Sequence, residues 1–138
     1  MLSPLTCYST LKKADGSKKT YYYSPFEKEF PLLIKENLRK KHKLIFGMDD
    51  GFEFSISPYH VSPRDQKIII YNRTSNDNGT VIKAWMGFYE ITGSPGALKL
   101  AYDVGLGAKN PQGFGCWEVT SVECRGEHPG YIFRLYIR

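Results

Sequence analysis

The order of apolar patterns along the chain predicts an α+β domain, an antiparallel sheet with two helices on one face. Two stretches, 26–45 and 97–104, repeat apolar residues at helical spacing. Alternating or β-branched runs lie before, between and after them. The elements follow in the order β-α-β-β-α-β, which is the order of the ferredoxin-like fold. An extra hairpin strand near the start and a C-terminal extension are added to this plan.

Size and composition limit the class of protein and the partners that the chain can have. A chain of 138 residues forms one domain, with a core that needs no disulfide or metal. Its three cysteines form no C-x-x-C pair, which predicts free thiols in a reducing, cytoplasmic compartment. No signal peptide or apolar span is visible, so we expect no membrane partner. The net charge of +5 modestly favours a polyanionic partner.

A hairpin is predicted at the start. Thr6–Leu11 and Thr20–Tyr23 have strand composition, and Asp15-Gly16 between them is a strong turn signal. The tip is basic, and either a solvated tip or contact with nucleic acid explains this charge equally well. Its lysines are Lys12, Lys13, Lys18 and Lys19.

The first helix is predicted to begin at Ser24-Pro25-Phe26-Glu27, which has the composition of a capping box, and to end at Gly47. Pro31 inside it is expected to kink or shorten the first turns. Four cations occupy its last turns: Arg39, Lys40, Lys41 and Lys43. Part of this run has a structural explanation, because cations favour the negative end of the helix dipole.

Strands and a second helix follow. Alternation predicts a half-buried strand at Phe52–Ile56, and Lys67–Tyr71 is a β-branched run. Thr80–Ile91 is interpreted as one long strand, and Ser94-Pro95 as the start of the second helix. Cys116–Thr120 is the next predicted strand, with Cys116 as a small buried residue.

Residues 121–138 are left over from the β-α-β-β-α-β plan, which places a boundary after residue 120. Apolar and polar residues alternate from Tyr131 to Arg138. Three alternatives stay open: an added edge strand, an interface segment, or a tail foreign to the fold.

A glycine-rich stretch joins the second helix to the next strand. Gly105, Gly107, Gly113 and Gly115 fall within eleven residues, too many for a regular element. Phosphate loops of nucleotide-cofactor folds run from strand to helix with other spacing, so no such cofactor is predicted. Backbone amides without a neighbouring Cβ can approach phosphates, and Lys109 and Asn110 add a charge and a hydrogen-bonding group. Alternatively, the glycines only permit a tight crossing.

Catalytic signals are sparse. The histidines His42, His60 and His128 lie far apart, and no metal-ligand spacing is present, so no metal is predicted. His42, within the basic helix end, is the candidate general base. We favour the alternative that it is a surface histidine in a solvated basic stretch.

The glycine stretch resembles the C-terminal signature of the repeat-RNA-processing endoribonucleases of CRISPR systems, the Cas six family of the RAMP superfamily. Further matches occur in the right order at Leu2-Ser3-Pro4, Lys19–Phe26, Glu36–Lys41 and Gly87-Phe88. The resemblance covers about residues 2–120 and is to the second of the family's two tandem ferredoxin-like domains.

The resemblance implies metal-independent cleavage of precursor CRISPR RNA by a 2′-hydroxyl, without a cofactor. The family's usual catalytic histidine lies in the first domain, so no residue here inherits that role, and this half alone is expected to be inactive. The implied partners are CRISPR repeat RNA and the first domain or other CRISPR-associated subunits, with a homodimer as a further possibility. The alternative is a non-catalytic module that uses its sheet edges for self-association or docking. We predict these RNA contacts: Gly105, Gly107, Lys109, Asn110, Gly113, Gly115, Arg39, Lys40, Lys41 and Lys43.

Overall fold

The computed structural model describes residues 1–48, 51–71, 74–75, 79–125 and 132–138. It has the predicted ferredoxin-like α+β architecture. The helices are α1 (Glu29–Phe46) and α2 (Pro95–Val104). The strands are β1 (Tyr8–Lys12), β2 (Lys18–Tyr22), β3 (Phe54–His60), β4 (Gln66–Tyr71), β5 (Thr80–Trp85), β6 (Phe88–Gly93), β7 (Val119–Arg125) and β8 (Ile132–Ile137). No helix in these ranges is long and apolar enough to cross a membrane.

The main sheet is antiparallel, with strand order β3-β6-β8-β7, and both helices pack on one face of it. Alternate residues of the three strands β3, β6 and β8 point into this layer and are buried. They are Phe54, Ile56, Tyr89, Ile91, Leu135 and Ile137. The helices pack against this face with apolar residues at i, i+4 spacing, including Phe30, Ile34 and Leu38 of α1. Each such side chain contributes about 1.5–3 kcal/mol of transfer free energy.

Two further hairpins flank this sheet. β1 pairs with β2 around the predicted Asp15-Gly16 turn, where Gly16 has φ 86°. β4 pairs with β5, and Trp85 of β5 exchanges two backbone hydrogen bonds of 2.8 Å with Leu5. The N-terminal segment is thereby fixed beside the β4–β5 hairpin.

Strand β8 is an interior strand of the main sheet, which is none of the three alternatives that the sequence left open. Leu135 pairs with Ile91 of β6 on one side and with Val122 of β7 on the other. Ile137 is completely buried. An alternating pattern identifies the buried face of a strand but not its place in the sheet, so the sequence left this position open.

The first residues of the chain continue the line of strand β8 beyond the last residue. Arg138 exchanges backbone hydrogen bonds with Glu118, and the N–H of Leu2 donates to Cys116 O at 2.9 Å. On the other side, Ile137 pairs with Tyr89, and the Met1 amino group donates to Gly87 O at 2.5 Å. Met1 therefore takes the ladder position directly after Arg138. β8 runs parallel to β3 with β6 between them, the place that a split β-α-β plan gives to the strand before α1.

Helix α1 begins four residues later than predicted, with Lys28 and not Ser24 at the N-cap position. Ser24–Glu27 forms a turn before it, in which the Glu27 carboxylate accepts from the Ser24 N–H at 2.6 Å. The capping residues were recognised correctly, but the chain turns once more before the helix starts. Pro31 lies in the first helical turn, where its missing N–H has no intrahelical partner to lose, so the expected kink is absent. Gly47 ends the helix as predicted, with φ 75°.

The long strand predicted at Thr80–Ile91 is two strands, β5 and β6. The break falls at Gly87, whose φ is 109° and whose added Cβ would lie 3.0 Å from His60 O. Met86 N–H leaves the ladder and donates to Asp65 O at 2.8 Å. β3 in turn continues to His60, four residues beyond the predicted end of that strand at Ile56.

The predicted burial of Cys116 is wrong: its side chain is exposed and precedes β7. The neighbouring Trp117 is buried instead, and its indole N–H donates to Ala101 O at 3.0 Å. Cys7 is buried, and burial together with the nearby Glu27 carboxylate raises the pKa of its thiol to about 12.

We expect the two thiols to react very differently with an alkylating agent at pH 8, because the thiolate is the reactive form. Iodoacetamide should modify Cys116 within minutes and leave Cys7 intact until the chain is unfolded in urea. Residue-resolved mass spectrometry checks this. Equal labelling of both residues in the native protein would contradict the burial of Cys7.

Candidate nucleic-acid interface

The glycine loop, residues 105–115, folds over the N-terminal segment. Ala108 N–H donates to Thr6 O at 2.9 Å, and Gly115 N–H donates to Pro4 O at 2.9 Å. The loop also closes on itself, since Leu106 N–H donates to Gly115 O at 3.0 Å. These bonds hold the loop against the start of the chain.

Three of the four glycines are required by close approach within the protein. An added Cβ would lie 1.9 Å from Leu106 O at Gly115, and 2.4 Å from Thr6 O at Gly107. At Gly105 it would lie 2.8 Å from the side chain of Asn110. Gly113 differs, because no atom lies within 4 Å of its added Cβ. The tight-crossing explanation therefore accounts for Gly105, Gly107 and Gly115.

Lys41 and Asn110 clamp the loop onto α1. The Lys41 ammonium donates to Gly107 O at 2.9 Å and to Asn110 Oδ1 at 2.5 Å. Asn110 Nδ2 donates to Leu106 O and Phe114 O, both at 3.0 Å. Both side chains were predicted to contact RNA, and the structure shows them bonded inside the protein. Burial lowers the pKa of Lys41 to about 8, so it is mostly charged at pH 7.

Other polar groups of the loop are available to a ligand. Within the described parts of the chain, the amides of Gly107, Lys109 and Asn110 have no hydrogen-bond acceptor. Lys109 has a left-handed backbone with φ 61°, and its ammonium lies 5.0 Å from the centre of the Tyr8 ring. This cation–π contact joins the loop to the basic β1–β2 hairpin.

A cavity of about 160 Å³ opens between α1, β1 and the loop. Its lining combines Gly107 and Lys40, two predicted site residues, with residues that the sequence did not single out. The latter are Cys7, Tyr8, Leu33, Ile34, Glu36, Asn37 and Ala108. Leu33, Asn37 and Lys40 recur at i, i+4 and i+7, so helical spacing from Lys40 would have found them.

The remaining basic residues of α1 are not gathered at this cavity. Arg39 pairs with Glu36, with Nε donating to Oε2 at 2.8 Å. Lys43 is exposed, and its carbonyl accepts the N–H of Gly47 at the helix end. Neither Arg39 nor Lys43 is among the residues that line the cavity.

His42 is buried, so the favoured expectation of a surface histidine is wrong. Its Nδ1 lies 3.0 Å from Met48 O, and its ring packs against Phe46 and Phe52. These contacts tie the end of α1 to the segment that follows. A role for His42 as a general base stays a prediction. His128 lies outside the described residues.

The outer face of the main sheet carries a separate aromatic group. The Tyr59 ring centre lies 4.2 Å from that of His60 and 4.8 Å from that of Tyr136. Beside it, Arg134 is held by Glu90 at 3.0 Å and lies 3.8 Å from Glu123. The carboxylates make this face less favourable for a phosphate backbone than the side with the glycine loop.

Fold and site together define a class: a ferredoxin-like domain in which a glycine loop between helix and strand is clamped onto the first helix. Residues 1–119 match the family described as CRISPR associated protein Cas6, C-terminal. The chain belongs to this family.

Two curated relatives are similar to the chain. It is 32% identical to the CRISPR-associated endoribonuclease Cas6 of Pyrococcus furiosus over 101 residues, 73% of this chain and 35% of that protein. It is 31% identical to the CRISPR-associated endoribonuclease Cas6 1 of Methanocaldococcus jannaschii over 128 residues, 91% of this chain and 45% of that protein. The chain thus matches less than half the length of either relative.

Two solved structures also superpose on most of this chain. One, described as CRISPR associated protein Cas6, superposes with a TM-score of 0.65 at 25% identity, over 84% of this chain and 45% of that chain. A Cas6-related protein from Pyrococcus furiosus superposes with a TM-score of 0.67 at 20% identity, over 84% of this chain and 44% of that chain. The second likeness supports the fold alone.

Proposed function

We propose that this domain holds the repeat of a precursor CRISPR RNA in the cytoplasm, as the C-terminal half of a metal-independent endoribonuclease. The observation that carries the proposal is the convergence of unpaired amides, two ammonium groups and an aromatic ring at one cavity and the loop that borders it. The ammonium groups are those of Lys40 and Lys109, and the ring is that of Tyr8. Phosphates are bound by amides and cations, and single-stranded bases by aromatic surfaces.

Exposed lysines extend the positively charged surface beyond the cavity. The β1–β2 hairpin carries Tyr8 to the cavity, and the four lysines at its tip are exposed. The Lys41 clamp supports the surface from within, because its mostly charged ammonium stands behind the loop. A strand of RNA lying along the hairpin and loop would meet these cations in succession.

Cleavage by 2′-hydroxyl attack needs a base near that hydroxyl and stabilisation of the phosphorane charge. The glycine loop provides charge stabilisation, but no histidine of the described residues lines its cavity. We therefore assign the cleavage reaction to the part of the related proteins that this chain does not match. Alone, the domain should bind RNA and not cut it.

A salt titration tests the binding proposal. Affinity for single-stranded repeat RNA should fall with log salt at a slope of about −0.7 per phosphate contacted. Replacing Lys40 and Lys109 together by alanine should weaken binding and flatten that slope by about 1.4, because two phosphate contacts are lost. Lys35→Ala is the control for loss of a lysine elsewhere: it removes one charge from an exposed position on α1 that does not line the cavity, and it should leave the slope unchanged.

The same reactions decide between the alternatives. No binding at low salt would favour the non-catalytic module that docks or self-associates through its sheet edges. Site-specific cleavage in EDTA by this chain alone would contradict the proposal that this half is inactive. His42 would then be the candidate general base.

A further inference from the structure

We propose that the cavity between α1 and the glycine loop is a pocket for one unstacked nucleobase, best matched by adenine and read by Asn37. The pocket proposal depends on the RNA-binding function proposed above and assigns it a specificity-determining residue. Asn37 lies within the matched stretch Glu36–Lys41 but was not predicted to contact RNA, and its side chain lies apart from the loop contacts that hold the fold together.

The first observation is an unpaired polar atom. Asn37 Oδ1 is buried and has no hydrogen-bond donor among the described residues. Buried acceptors are nearly always paired, so an exception marks a strained or functional position. Asn37 also lines the cavity, and a rotation of its amide toward the cavity lets a ligand that carries an N–H group supply the missing donor.

The shape of the cavity limits the ligand. At about 160 Å³ it is smaller than the roughly 300–1,000 Å³ typical of sites for drug-sized molecules, so it takes a single small ring system. Leu33 and Ile34 provide an apolar wall, and the Tyr8 ring provides an aromatic one. This combination suits the flat, partly apolar surface of a base that has left its stack.

The rim selects a nucleotide over an uncharged ring. Lys40 borders the cavity, and the unpaired amides of Gly107 and Lys109 belong to the adjoining loop. A base inserted beside Asn37 would bring its phosphate to these donors. The nearby Glu36 carboxylate is already paired with Arg39, which limits its repulsion of phosphate.

Asparagine favours adenine for a geometric reason. Its carbonyl oxygen accepts from the N6 amino group while its amide donates to N7, a two-bond pairing on one base edge. Uracil presents a carbonyl oxygen where adenine presents the amino group, so it leaves Asn37 Oδ1 without that donor. The pocket should therefore prefer oligo(A) to oligo(U).

Hexanucleotide titrations at fixed salt test the pocket. The wild-type chain should bind hexa-adenylate about tenfold more tightly than hexa-uridylate, the size expected for one bidentate pairing. Asn37→Leu should weaken hexa-adenylate binding by about the same factor and leave hexa-uridylate binding unchanged. Tyr8→Leu should weaken both, because stacking does not distinguish bases strongly.

Thermal melting without RNA provides an independent readout. Replacing an unpaired buried amide by leucine of similar size should leave the melting temperature unchanged or raise it. A large loss of stability in Asn37→Leu would show that its oxygen serves the fold, and would overturn the proposal. RNA binding without base preference, unchanged by Asn37→Leu, would overturn the pocket alone, whereas no binding of either oligonucleotide would overturn the proposed function with it.

Discussion

Gly115→Ala is expected to lower the free energy of unfolding by about 3 kcal/mol or more, from overpacking and from backbone strain. The added Cβ would lie 1.9 Å from Leu106 O, and the neighbouring carbonyl carbon is also within 2.9 Å. Backbone atoms cannot swing aside as a side chain does. In addition, φ at this position is 80°, a conformation that costs alanine free energy. Urea denaturation monitored by tryptophan fluorescence measures the change.

Two other glycines are matched controls. Gly113→Ala places a Cβ in open space at φ 94°, so it carries the conformational strain without the clash and should cost about 1–2 kcal/mol. Gly96→Ala adds a Cβ in open space within α2 and should stabilise the chain by about 0.5–1 kcal/mol. If Gly115→Ala cost no more than Gly113→Ala, the close crossing at Leu106 would be wrong.

Local signals in the sequence predicted local structure well. Asp15-Gly16 marked the first hairpin, Gly47 marked the end of α1, and Ser94-Pro95 marked the start of α2, as the structure confirms. Each depends on the conformational preference of one or two residues, which acts without help from distant parts of the chain. The β-α-β-β-α-β order followed from these boundaries.

The sequence predictions were wrong where contacts between residues far apart in the chain determine the structure. Gly87 separates β5 from β6 because His60 and Val61 lie beside it, and nothing near Gly87 in sequence indicates them. Cys116 and Trp117 both suit a strand, and only the acceptor at Ala101 determines which one turns inward. His42 was judged by its basic neighbours, whereas Phe52, ten residues on, buries it.

The candidate site was predicted in part. The glycine loop and the basic end of α1 do meet, through Lys41. Their roles differ from expectation, because the side chains of Lys41 and Asn110 bond to each other. Tyr8 and Asn37 were missed since the loop, the hairpin and the helix come together only in the folded chain.

Removing residues 126–138 is expected to abolish cooperative folding, although the sequence placed them outside the domain plan. β8 supplies Leu135 and Ile137 to the core and pairs with a strand on each side. Losing two buried side chains costs about 3–6 kcal/mol by transfer free energy, before the unpaired ladders of β6 and β7 are counted. Domains of this kind are stable by about 5–15 kcal/mol in total. Circular dichroism during thermal melting measures the outcome.

Two variants separate the loss of β8 from other causes. Val122→Ala, at an exposed position of β7, should change stability by less than about 0.5 kcal/mol. A circular permutant that joins Arg138 to Met1 and opens the chain within 126–131 should fold, because these ends occupy consecutive positions on the ladder. Its sheet keeps every strand while the connection between β7 and β8 is lost. Unchanged cooperative melting of the truncated chain would show that β8 is not part of the core, whereas an unfolded permutant would contradict the collinear arrangement of the two ends.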